Sequence, residues 1–70
     1  MALSARNQLA GKVKSIKEGI VTAEVVVDLP GGQEIVSVIT MTSVHNLKLA
    51  VGSPVKVIVK ATEVMLATDD

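Results

Sequence analysis

A polar segment near the amino terminus has the side chains to bind a small anion. It reads Ser4-Ala5-Arg6-Asn7-Gln8 and contains the only arginine of the chain. Arginine offers a planar fork of N–H donors, serine a rotatable hydroxyl, and asparagine and glutamine their side-chain amides. The same segment also suits a polar lead-in to a first strand, because chain termini are usually polar and mobile.

A second polar group lies near the carboxyl terminus, at Lys60-Ala61-Thr62, where a predicted strand breaks off. Small residues at such a break leave backbone N–H groups free to form an anion-binding concavity. Arg6 and Lys60 together carry two positive charges, which match a tetrahedral dianion, and Ser43 could add a hydroxyl or a helix N-terminal amide. Each residue also has an ordinary interpretation, Lys60 as a surface lysine and the others as turn or capping residues.

Catalytic and metal chemistry finds little support in the sequence. His45 is the only histidine and cysteine is absent, which excludes a Cys/His zinc site and any disulfide. No carboxylate stands at a spacing that would orient His45, and no activated-serine signature is present. Gly31 and Gly32 lack the downstream residues of a phosphate-binding P-loop. We therefore expect a protein that is not an enzyme.

The composition indicates which classes of partner the protein can have. Hydrophobic residues make up 49% of the 70 positions, aromatics are absent and the mean hydropathy is +0.51. One small domain over residues 1–70 cannot hide that much apolar surface alone, which predicts a homo-oligomer. Zero net charge and the lack of aromatics argue against nucleic-acid binding. No apolar run is long enough for a membrane span and no signal-peptide pattern is present, so we expect a cytoplasmic protein without a membrane partner.

Alternating apolar residues predict an all-β fold. The expected architecture is a small five-stranded OB-like barrel, with one short helical turn after the third strand. Strict alternation places Val13 and Ile16 on opposite faces of the first strand, and Gly11 there suggests a bulge or a close backbone approach. Residues 67–70 are expected to fray. The predicted strands cover residues 8–16, 20–29, 33–40, 55–60 and 64–66, and the helical turn lies within 40–49.

The two polar groups also carry a family resemblance. Ser4-Ala5-Arg6-Asn7-Gln8-Leu9-x-Gly11 and Lys60-Ala61-Thr62-Glu63-Val64-Met65 resemble the signature ends of the molbindin family, the Mop-type or TOBE domains of molybdate-binding proteins. The middle, including Ile39-Thr40-x-x-Ser43-Val44, is similar as well. The resemblance implies a free-standing Mop domain that stores and buffers molybdate, or tungstate, without an organic cofactor or a chemical step. It further implies a cytoplasmic hexamer, a trimer of dimers, with oxyanion sites between subunits.

The resemblance also implies particular site residues. Its oxyanion-binding residues correspond here to Ser4, Arg6, Ser43, Lys60 and Ala61, the last through its backbone amide. The amino-terminal segment and the Lys60-Ala61 segment with Ser43 are expected to come from different subunits. Further candidates are Ala5, Asn7 and Thr62, together with Gly19 and Ile20 for a second class of site.

Two other functions remain open at this point. One is an oxyanion-sensing accessory or regulatory module that acts through a protein partner. The other is a carrier of a molybdenum-pterin compound, although the chain has no aromatic side chain on which a pterin could stack.

Overall fold

A four-stranded antiparallel sheet forms the body of the protein, for which a computed structural model describes residues 2–69. The order of strands across the sheet is β3-β2-β1-β4. A short helix follows β3 and a 3₁₀ turn follows β4, so the predicted all-β class with one helical turn after the third strand is confirmed. The elements are β1 (Asn7–Glu18), β2 (Thr22–Asp28), β3 (Glu34–Thr40), α1 (Met41–Asn46), β4 (Pro54–Val59) and the 3₁₀ turn (Ala61–Glu63).

The connections form where the sequence supplies turn and capping residues. Gly31 and Gly32, between β2 and β3, have φ angles of 92° and 87°, which glycine adopts without steric penalty. Thr40 caps α1, since its side-chain oxygen accepts a hydrogen bond from the Ser43 amide at 3.0 Å.

A β-bulge divides β1. The pairing register with β2 shifts between Val13 and Ser15, which inserts Lys14 as an extra residue. Side chains beyond a one-residue insertion change face, so Ile16 packs on the same side as Val13. The prediction that these two residues lie on opposite faces is therefore wrong.

Gly11 lies where β1 passes close to β2. A Cβ atom at this position would lie 2.6 Å from the carbonyl oxygen of Asp28 and 2.7 Å from Cγ1 of Val27. The bulge is elsewhere, so of the two roles predicted for Gly11 the close backbone approach is confirmed.

The concave face of the sheet carries a thin, valine-rich core. Val13, Val25 and Val27 form its centre and are at most 3% exposed. Burial of these apolar side chains is the main stabilising contribution of the fold. Partly buried residues that pack around the centre are Ile16, Leu29, Ile35, Ile39, Leu49, Val55 and Val57.

The expected fifth strand does not form, so the prediction of a five-stranded barrel is corrected to a curled four-stranded sheet. Val64 has extended backbone angles, with φ at −91° and ψ at 121°, but it is not part of the sheet. Val64, Met65 and Leu66 are 47%, 92% and 94% exposed. A strand needs a partner for its backbone hydrogen bonds, and within residues 2–69 no edge strand pairs with this segment.

The remainder of the described chain adds little regular structure. Residues 67–69 have none, and position 70, which was also expected to fray, lies outside the described residues. Within residues 2–69, no helix has the length and apolar character that a bilayer crossing requires.

Candidate anion-binding site

The pairing of β1 with β4 brings the two polar segments of the sequence together. Asn7, the first residue of β1, is paired with Val59, the last residue of β4. In an antiparallel ladder the next residues outward are also neighbours, so Arg6 and Lys60 leave the sheet side by side. The two segments therefore already lie next to each other within one chain, and their combination across different subunits stays a prediction.

A surface cavity, called here the anion pocket, lies between these two segments. Among residues 2–69 it is lined by the side chains of two cationic residues, two hydroxyl groups and no carboxylate. An oxyanion presents only acceptor atoms, so a lining of donors is the chemistry that such a ligand requires. The lining residues are Ser4, Ala5, Arg6, Ile58, Lys60, Ala61 and Thr62.

The 3₁₀ turn shapes the carboxyl-terminal wall of the anion pocket. The amide of Glu63 donates to the carbonyl of Lys60 at 2.8 Å, and the amide of Val64 donates to that of Ala61 at 3.3 Å. The amides of Ala61 and Thr62 come before these two donors in the chain and donate no hydrogen bond within the turn. These N–H groups are therefore available to a ligand, and a contact from the Ala61 amide stays a prediction.

Most of the lining is open to solvent in the single chain. Ser4, Arg6, Lys60 and Thr62 are exposed, and Ala5 is half-buried. Water and salt screen interactions between exposed charges. An anion bound to one isolated chain would thus gain less than the same anion bound in a more enclosed pocket.

Ser43 lies away from the anion pocket in the same chain. It belongs to the first turn of α1, where Thr40 donates a hydrogen bond to its hydroxyl at 3.0 Å, and it does not line the cavity. Within one chain Ser43 therefore has the capping environment that was its ordinary interpretation.

Three further candidates are also absent from the pocket lining. Asn7 begins β1 next to the cavity. Gly19 donates its amide to the carbonyl of Thr22 at 2.9 Å, in the turn between β1 and β2, and Ile20 in that turn is 99% exposed.

Ile58 is the pocket residue that the sequence analysis missed. It lies on the outward face of β4 between Lys56 and Lys60, and it forms an apolar wall of the cavity. The available signal was an aliphatic residue in an alternating pattern where both of its outward neighbours are lysines.

Comparison with known proteins agrees with this architecture. Residues 3–66 match the family described as the TOBE domain. Molybdenum-pterin-binding protein 2 of Clostridium pasteurianum is 48% identical over 66 residues, which is 94% of this chain and 97% of that relative.

Solved structures show the same fold. A molybdate-binding protein from Sporomusa ovata has a TM-score of 0.91 and 43% identity, covering 97% of this chain and 100% of that one. The cytoplasmic molybdate-binding protein ModG, solved with molybdate bound, has a TM-score of 0.84 and 46% identity over 87% of this chain and 43% of its own. Since the family match spans nearly all the described residues, this chain belongs to the TOBE domain family, the family that its two polar ends resemble.

Proposed function

We propose that this protein binds molybdate in the anion pocket, without a chemical step. The observation that carries the proposal is the meeting of Arg6 and Lys60 in a cavity that no carboxylate of the described part of the chain lines. Molybdate is a dianion near neutral pH, so two cations balance its charge. Solved relatives that share this fold are themselves described as molybdate-binding proteins, which supports the assignment.

Each pocket residue has a distinct role in this proposal. Arg6 donates charge-assisted hydrogen bonds through its guanidinium fork, and Lys60 acts as a point charge with three donors. Ser4 and Thr62 donate from their hydroxyls, and Ala61 donates from its backbone amide. Because molybdate and sulfate share charge and shape, cavity size sets the discrimination between them. Tungstate is nearly equal to molybdate in size and binds with similar affinity.

The biological role proposed is storage and buffering of molybdate in the cytoplasm, by a single domain over residues 1–70 that is not an enzyme. Reversible binding by a pocket of donors supplies this role without any catalytic group. The cytoplasmic relative ModG, which has molybdate bound, supports the compartment and the ligand together.

The proposal includes assembly into a hexamer, arranged as a trimer of dimers. The exposed segment Val64–Leu66 supports it. Its apolar side chains would be buried, and its backbone groups would gain hydrogen-bond partners, by contact with another copy of the chain. In the assembly Ser43 of a neighbouring copy completes the anion pocket, and the Gly19–Ile20 turn contributes to a second class of site. Enclosure by a second chain would also reduce the solvent screening of Arg6 and Lys60.

A second candidate is the transport of a molybdenum-pterin compound. The name of the Clostridium relative favours it, since that protein is described as binding molybdenum-pterin. Against it stands the absence of any aromatic residue on which a pterin ring could stack.

Calorimetric titration with sodium molybdate, combined with native mass spectrometry, tests the proposal. The expected result is saturable binding of molybdate and tungstate, weaker binding of sulfate and a six-subunit species whose melting temperature rises with anion concentration. Absence of binding at millimolar molybdate would overturn the assignment. Copurification of a pterin mass that molybdate cannot displace would favour the second candidate.

A further inference from the structure

The side chain of Gln8 fastens the segment that precedes β1. Its Nε2 atom donates a hydrogen bond to the carbonyl oxygen of Ala5 at 2.8 Å. Gln8 itself is fixed in the sheet, because it is paired with Ile58 in the β1–β4 ladder. Among the bonds of the described residues, this is the one that restrains the Ser4–Arg6 segment. Without such a restraint a chain terminus is expected to fray.

The restrained residue stands at the centre of one wall of the anion pocket. Ala5 lies between Ser4 and Arg6, and all three residues line the cavity. Fixing the Ala5 carbonyl limits the backbone rotations on both sides of it, so the two flanking donors are ordered before an anion arrives. A pre-ordered segment loses less conformational entropy on binding. The bond also engages a carbonyl oxygen whose partial negative charge would repel an oxyanion.

Gln8 does not itself reach the ligand position. It is not among the residues that line the anion pocket, and it lines a neighbouring groove that also includes Pro30 and Gln33. The hydrogen bond to Ala5, which does line the anion pocket, is the polar contact that links Gln8 to anion binding.

We infer that Gln8 is a positioning residue for oxyanion binding, which holds Ser4 and Arg6 opposite Lys60 through its bond to the Ala5 carbonyl. This inference rests on the function proposed for the anion pocket. It adds a residue whose contribution is the order of the site and not a contact with the ligand.

The substitution Gln8→Met tests this role, because methionine has a similar length and no donor. Gln33→Met is the matched control: Gln33 lines the same neighbouring groove, and its side chain makes no hydrogen bond among those of residues 2–69. In titrations with sodium molybdate we expect Gln8→Met to bind about three- to tenfold more weakly, because binding must then order the backbone of about one further residue. Gln33→Met should bind as the wild type does.

Two further measurements separate positioning from a general loss of stability. Backbone order parameters measured by NMR at Ala5 and Arg6 should fall in Gln8→Met. The melting temperature of the anion-free protein should fall by only a few degrees, the effect of losing about one exposed hydrogen bond. In a double-mutant cycle with Ser4→Ala, the losses in affinity should be clearly less than additive, because Gln8 acts partly through Ser4.

The outcomes distinguish this inference from the proposed function. If the wild type fails to bind molybdate, the proposed function is wrong and the inference with it. If the wild type binds but Gln8→Met binds equally well, or if the double-mutant cycle is additive, only the positioning role is wrong. Should Gln8→Met fold poorly, the uncharged pair Gln8→Leu and Gln33→Leu gives the same comparison, with the larger loss expected for Gln8→Leu.

Discussion

The two halves of β1 share one backbone but contribute differently to the molecule. Before the bulge, residues 7–12 pair with β4 and lead directly into the anion pocket. Beyond it, residues 15–18 pair with β2, and Ile16 packs against the buried valines. The first half thus positions exposed donors, whereas the second half contributes apolar burial.

This difference shows how a chain of 70 residues can hold both a site and a core on the same strand. The extra residue Lys14 lets the strand change face, so that each half presents the side chains its surroundings require. Substitutions near the end of β1 that leads into the anion pocket should therefore alter anion binding, and substitutions of its core-facing residues from Val13 onward should alter stability.

The largest expected effect is the loss of anion binding in Arg6→Ala. Removing the guanidinium eliminates the charge-assisted bonds, and we expect molybdate affinity to fall on the order of 100-fold in calorimetric titrations. Because Arg6 is exposed, the melting temperature of the anion-free protein should not change. Lys17→Ala, which removes a positive charge beyond the bulge, is the control. Equal losses in both variants would mean that overall charge, and not the anion pocket, attracts the ligand.

Ile16→Ala should produce the opposite pattern. Removing a partly buried aliphatic side chain should lower the free energy of unfolding by about 1–2 kcal/mol in urea denaturation, with molybdate affinity of the folded protein unchanged. Ile20→Ala provides the comparison, since Ile20 is 99% exposed in the single chain. A similar destabilisation by Ile20→Ala would show that contacts between copies, and not the core, dominate stability.

The smallest effect concerns the bulged residue itself. Lys14 donates a hydrogen bond to Glu34 and forms an ion pair with it, which raises the pKa of Lys14 above its ordinary value of 10.5. A raised pKa in the folded state means that the pair stabilises the fold fully below pH 10.5 and ceases to do so as the pH rises through the raised value.

Urea denaturation of Lys14→Met can test this pH dependence. The variant should be slightly less stable than the wild type at pH 8, and the difference should vanish at strongly alkaline pH. Glu34→Gln should cause the same small loss without adding to that of Lys14→Met. A difference that persists at alkaline pH would mean that the lysine stem, through packing, provides the stabilisation.

Local sequence patterns predict a large part of this molecule. The glycines at 31 and 32 indicate the β2–β3 turn, and Thr40 indicates the start of α1, because these signals depend on neighbouring residues alone. The donors Arg6 and Lys60 are also evident, since their residue types match the chemistry of an oxyanion. Their meeting in one chain depends on the register of Asn7 with Val59, which no local pattern contains.

Local sequence patterns do not predict two features of the structure, the bulge at Lys14 and the lack of a strand at residues 64–66. The insertion at Lys14 appears in the sequence only as the three-residue spacing of Val13 and Ile16, which an outward-facing Ile16 would explain equally well. Residues 64–66 have the apolar character of a strand, but strand formation depends on a partner edge that this chain does not provide within its described residues. The outcome in both cases is decided by pairing between distant segments.

The construction of the anion pocket from the first and last parts of the fold bears on how the protein folds. Its two walls are far apart in sequence and meet only when β1 and β4 have paired across the sheet. Closing so long a loop is among the slower events in folding, because its entropic loss precedes the contacts that compensate for it. Molybdate binding during refolding should therefore report the pairing of β1 with β4. It should be absent while only the β2–β3 hairpin has formed and should appear when all four strands are paired.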